Sequence, residues 1–148
     1  MSSAVVTGPF ERVADMALRL KVAGFEVLAA EPDVGQIPPG VDEVDCYVQL
    51  PNDALPAGDH APKAHGHALT ARFDAAAQMA PMLASRATVV LVADPPDVTP
   101  APDMRLVRLL MEAIIADHGG DDVRIAVIDA ARPDADIIAI AQSASRSA

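Results

Sequence analysis

Residues 4–29, AVVTGPFERVADMALRLKVAGFEVLA, decide how the chain is read. The apolar run Ala4-Val5-Val6 ends in Thr7-Gly8-Pro9, a breaker that closes a short strand. Beyond it Phe10, Val13, Ala14, Ala17 and Leu20 recur at helical spacing, while Glu11, Arg12, Asp15, Arg19 and Lys21 fall mainly on the opposite face. Thr7 or Gly8 can cap this helix, Pro9 suits its first turn, and Gly24 suits its end. Phe25 to Ala29 then reads as a second strand. Strand, helix and strand within about 30 residues is the size of a βαβ unit.

The same alternation continues outward. Residues 31–43 hold Pro32, Gly35, Pro38, Pro39 and Gly40 and read as a loop with no convincing helix, which leaves one sheet face thinly covered near its edge. Val44 to Leu50 reads as a third strand. A Pro/Gly/Asp-rich connection leads to a helix expected over residues 64–85, in which Pro81 kinks or shortens the last turn. Thr88 to Ala93 is apolar almost throughout, as a central parallel strand should be. Asp103 can cap a helix from Met104 to Asp117, Val123 to Ile128 reads as a fifth strand, and Pro133 opens a last helix reaching toward Ala144. Residues 143–148 read as a frayed tail. Alternating strands and helices imply a parallel sheet covered on both faces. The expected fold is α/β: a single shortened domain over residues 1–148, a Rossmann-like three-layer αβα sandwich with five parallel strands in the order 2-1-3-4-5.

Composition narrows the function classes. The chain has 148 residues, 51% of them hydrophobic and 30 of them alanine, with a net charge of −10. That size allows one domain with a real core. The acidic balance repels phosphate backbones, and aromatics at 3% offer little stacking surface, so nucleic acid is not expected as a partner. No apolar run approaches the roughly 18 residues of a membrane span. The N-terminus lacks the basic start and apolar stretch of a signal peptide, so the expected location is cytoplasmic. The single cysteine, Cys46, excludes an internal disulfide and a cysteine-built zinc site, and reads either as a small core residue or as a reactive thiol.

In an open parallel sheet, ligands bind beyond the carboxyl ends of the strands. That rim is expected at Thr7 to Arg12, Leu50 to Asp53, Asp94 to Asp97 and Asp129 to Arg132, with Asn52, Asp94 and Asp129 as ligand-facing positions. Two readings of the first loop stay open. Thr7, Gly8 and Arg12 at a helix N-terminus can hold an anion, and Glu31, 23 residues after Gly8, can accept hydrogen bonds from an adenosine ribose. Alternatively, Gly8 serves a purely structural turn, because a dinucleotide fingerprint would have glycines where Arg12 and Ala14 stand.

Three stretches then resemble one family, the short-chain dehydrogenases/reductases. They are Val5-Val6-Thr7-Gly8 with its amphipathic helix, the helix and strand from Ala68 to Asp94, and the segment Arg105 to Ile128 with its Val123-Arg124-Ile125 strand. The resemblance implies a Rossmann-type fold, NAD as the cofactor to consider, and a four-helix dimer interface. The departures bear on activity. The family's glycine motif survives only as Thr7 and Gly8, its Asn-Asn-Ala-Gly is replaced by Gln49-Leu50-Pro51-Asn52, and Asp94 falls near the expected catalytic serine. Residues 95–105 contain neither the tyrosine nor the lysine that would donate and tune a proton. The only tyrosine, Tyr47, lies in an expected strand, and Lys63 lies on another loop.

The leading expectation is therefore a non-catalytic, shortened relative of that family acting as a dimeric binding or scaffold module. The alternative is an NAD(P)- or adenine-nucleotide-binding oxidoreductase or sensor using Thr7, Gly8, Arg12 and Glu31. Helix 103–117 is apolar around most of its circumference, so a homodimer is expected through helices 64–85 and 103–117, with Met79, Met82, Leu110 and Met111 as members. Another protein, or an active relative that the chain stabilises, is the other partner considered. Asp59, His60, His65 and His67 form the only histidine cluster; their spacing matches no metal motif, and they read as a solvated loop. A receiver-domain reading fails at Thr7-Gly8, where an acidic pair is needed, and at Arg132, where a lysine is needed.

Overall fold

A computed structural model describes residues 2–31, 37–50, 74–92, 104–117, 122–128 and 134–147. Its elements run β1 (Ser3–Thr7), α1 (Phe10–Val22), β2 (Glu26–Glu31), β3 (Val44–Gln49), α2 (described over residues 74–79), a 3-10 turn (Ala80–Met82), β4 (Leu83–Val92), α3 (Met104–Asp117), β5 (Arg124–Ile128) and α4 (Asp134–Ser147). The five strands form one sheet in the order β2-β1-β3-β4-β5, and every neighbouring pair is parallel. The fold is the α/β sandwich expected from the alternation of elements.

Strand alternation divides the core in two. Ala4, Val6, Cys46, Val48, Val90, Val92 and Ile128 face one way, against Val13, Met16 and Leu20 of α1 and Ile137 and Ala141 of α4. Val5, Tyr47, Val89, Leu91 and Ile125 face the other way, against Ala76 and Met79 of α2 and Met111 and Ile115 of α3. Within α1, Met16 takes the buried place assigned above to Ala14, which is exposed. Where the β2–β3 connection lacks a helix over residues 37–43, Ile37 is buried and Val41 packs beside it, so two loop side chains cover that edge of the sheet.

Three boundaries differ by several residues from the sequence reading. The helix expected over residues 64–85 ends at residue 79, and β4 begins at Leu83, five residues before Thr88. Pro81 explains the early end: it brings no N–H to the helical ladder and disfavours helical backbone in the residue before it. β4 starts with an irregularity, since Val44 pairs with Leu83 and Cys46 with Thr88, and Arg86 adopts φ 65° between them. At the other end of the chain α4 continues to Ser147, so residues 143–147, read as a frayed tail, are helical. No helix among the described residues is long and apolar enough to cross a membrane.

Candidate functional site

Strand order reverses between β1 and β3, which makes the carboxyl ends of those two strands the place where an α/β sheet offers a crevice. Register aligns Thr7 with Glu31 of β2 on one side and with Gln49 of β3 on the other. Thr7 and Gln49 are buried, and Glu31 is half-buried at the end of β2. The Leu50 amide donates to the Thr7 carbonyl at 2.9 Å, extending the β1–β3 ladder one residue past Gln49.

That last rung determines what Gly8 does. Its backbone has φ 146°, and a Cβ added there would lie 2.6 Å from the Leu50 Cβ. The space opened by the missing side chain is filled by β3. Gly8 therefore permits the close approach of two backbones. Pro9 occupies the N-cap position of α1, one place earlier than the first turn expected for it, and no side chain caps the helix. The Arg12 and Val13 amides both donate to the Pro9 carbonyl, at 2.9 and 3.0 Å. The Arg12 side chain is exposed on α1.

A buried polar cluster beside this loop went unread in the sequence. The Thr7 Oγ1 and the Tyr47 hydroxyl share a hydrogen bond of 2.7 Å, and Gln49 Nε2 donates to the same hydroxyl at 3.3 Å. Tyr47 is fully buried. The signal for it was present: with period 2 in β3, Tyr47 and Gln49 share a face opposite Cys46 and Val48, and β3 is the expected neighbour of β1. At the amino ends of the same strands the Ser3 amide donates to Asp45 Oδ2 at 2.8 Å and Ser3 Oγ donates to the Glu43 carbonyl at 2.9 Å. Polar contacts thus pin the β1–β3 pair at both ends.

The other expected site residues fall into two groups. Asn52, Asp94 and Asp129 lie outside the described residues, as do His60, His65 and His67. Of the expected interface residues, Met79 and Met111 are fully buried against the sheet of their own chain, while Met82 and Leu110 are half-buried. Among the described side chains of α3, the large apolar ones that are exposed are Leu106 and Leu109. Among the described residues no group of three His, Cys, Asp or Glu side chains is placed to hold a metal ion.

Cys46 sits inside the sheet face under α1 and α4. Burial, with a smaller contribution from the Asp45 carboxylate, pushes its thiol up to about 12 from an ordinary 9.0. This supports the core-residue reading, since the reactive species is the thiolate. The folded-state value lies above the unfolded one, so the stability it contributes is whole below about pH 9 and is lost as pH rises toward 12. Between about pH 9 and about pH 11, urea midpoints should fall more steeply for the native sequence than for Cys46→Ala. Parallel curves would show that the thiol does not titrate with unfolding. In comparisons with known proteins, the chain matches no family model and no curated relative.

Proposed function

We propose that this protein is a non-catalytic binding module, a shortened relative of the short-chain dehydrogenases, that pairs with a second copy of itself through the outer face of α3. The observation that carries the non-catalytic reading is the position of Tyr47. The chain's one phenol is fully buried and hydrogen-bonded to Thr7 and Gln49, where it ties β1 to β3. A proton donor for carbonyl chemistry has to reach a substrate oxygen, and a hydroxyl enclosed under the sheet face is a structural group.

Self-association draws support from α3. Leu106 and Leu109 lie one helical turn apart and are 44% and 63% exposed, and the Arg108–Glu112 ion pair flanks them. Val127 of the edge strand β5 is also exposed, and strand alternation puts it on the α3 side with Ile125. Fully burying a leucine side chain contributes about 1.5–3 kcal/mol, so two leucines per copy make a worthwhile centre for a symmetric contact. Light scattering on size-exclusion peaks at low micromolar concentration should give a dimer. The double variant Leu106→Glu/Leu109→Glu should give a monomer with an unchanged circular dichroism spectrum. A monomeric native protein defeats the pairing.

One observation favours a second reading, a protein that binds an adenine nucleotide. The register of Thr7 with Glu31 sets an acid beside the start of α1, where a ribose and phosphate would lie. Against it stands the filled space at Gly8. Thermal unfolding with millimolar NAD, NADP and adenine nucleotides separates the two readings. A nucleotide at about 100 times its Kd stabilises by about 2.7 kcal/mol. The binding-module proposal expects no shift from any of them, and a rise of several degrees would favour the nucleotide site.

A further inference from the structure

We propose that the middle of β4 and the amino end of β5, under α4, form a binding site for a small monocarboxylate with a short hydrocarbon chain. This site lies at the opposite end of the sheet from the rim and stands independently of the function proposed above. Thr88 and Arg124 are register partners on adjacent strands. Alternation places both side chains on the α1/α4 face, two residues before Val90 and four before Ile128 respectively, both of which belong to that core. A cavity of about 320 Å³ opens there between Thr88, Arg124 and Ala126 of the sheet and Ala139, Ile140 and Ser143 of α4.

Among the described residues, one of those groups is buried without a partner, and another is a cation without a counter-charge. Thr88 is 3% exposed, and its Oγ1 is enclosed with no hydrogen-bond partner. Leaving a buried hydroxyl so forfeits its hydration with nothing in return, and such groups are rare enough to call for an explanation. Arg124 is exposed and makes no ion pair among the described residues, although the chain carries ten more acidic than basic residues. A carboxylate in the cavity would accept from the guanidinium through one oxygen and, once a χ1 turn brings the enclosed Thr88 Oγ1 to the cavity wall, from that hydroxyl through the other.

The remaining lining selects among anions. Ala126, Ala139 and Ile140 give an apolar wall suited to a hydrocarbon chain. One guanidinium balances one negative charge, so a phosphate dianion would leave charge uncompensated against that wall. The volume is at the small end for ligand pockets, which fits a few carbon atoms. An internal water could also satisfy the hydroxyl, but a water site would not tell a carboxylate from a neutral amide of the same shape.

The test is a titration of the full chain, uniformly labelled with nitrogen-15, with butyrate, butyramide and inorganic phosphate, followed by amide chemical shifts. Butyrate should give saturable shifts at Thr88, Arg124, Ala126 and Ile140, and butyramide and phosphate should not. Arg124→Gln, at an exposed position, should keep the native spectrum and weaken butyrate at least tenfold. Thr88→Val should also weaken butyrate while raising the melting temperature of the ligand-free protein, because it removes the unpartnered hydroxyl without changing shape. The proposal is overturned if butyrate gives no saturable shifts at tens of millimolar. It is equally overturned if butyramide or phosphate matches butyrate, or if Arg124→Gln binds butyrate as well as the native protein does.

Discussion

Gly8→Ala is expected to destabilise the fold by about 2–5 kcal/mol, read as a fall in the urea midpoint without a change in slope. Two costs combine. The backbone at φ 146° is strained for any residue with a Cβ, and that Cβ would lie 2.6 Å from the Leu50 Cβ. The obstructing atom belongs to every residue except glycine, so Leu50→Ala cannot relieve it. Gly24 separates the two costs, because it has φ 102° with no atom within 4 Å of an added Cβ. Gly24→Ala should therefore lose only the conformational part, about 1–2 kcal/mol. Equal losses at the two glycines would show that β3 yields to the new methyl group. The space at Gly8 would then be adjustable, and the structural reading of this turn would fail with it.

The same loop shows which parts of the molecule were legible in the sequence. The βαβ unit over residues 4–29 could be read because its signals agree: apolar runs at strand length, a helical stripe between them, and Gly8, Pro9 and Gly24 as punctuation. The sheet order followed from the alternation of elements. The α2–β4 junction was harder, since Met82-Leu83-Ala84 is apolar under either period and the left-handed Arg86 carries no mark in the sequence. For Met79 and Met111, the stripes indicated burial but not whether the sheet or a partner would bury them. Their complete enclosure within one chain moves the proposed pairing surface to Leu106 and Leu109. The Thr7–Tyr47 hydrogen bond depends on pairing register across 40 residues, which residue types alone do not supply.

That hydrogen bond carries the second large effect. Tyr47→Ala should lose about 3–5 kcal/mol, because it removes a fully buried ring from between the sheet and its α2/α3 layer. For a domain of ordinary stability, about 5–15 kcal/mol, that is enough to threaten folding. Tyr47→Phe is the sharper experiment. It keeps the ring and deletes only the oxygen that Thr7 Oγ1 and Gln49 Nε2 share, so it should lose about 1–3 kcal/mol. Adding Thr7→Val should recover part of that loss, since replacing both ends of a buried hydrogen bond costs less than replacing one. The two readings of the chain diverge on this variant. If Tyr47 is a structural group, Tyr47→Phe moves the unfolding midpoint, and the double variant gives a measurable coupling with Thr7. A hydroxyl kept for chemistry would leave the midpoint of Tyr47→Phe where it was. An unchanged midpoint would therefore remove the observation on which the non-catalytic proposal rests.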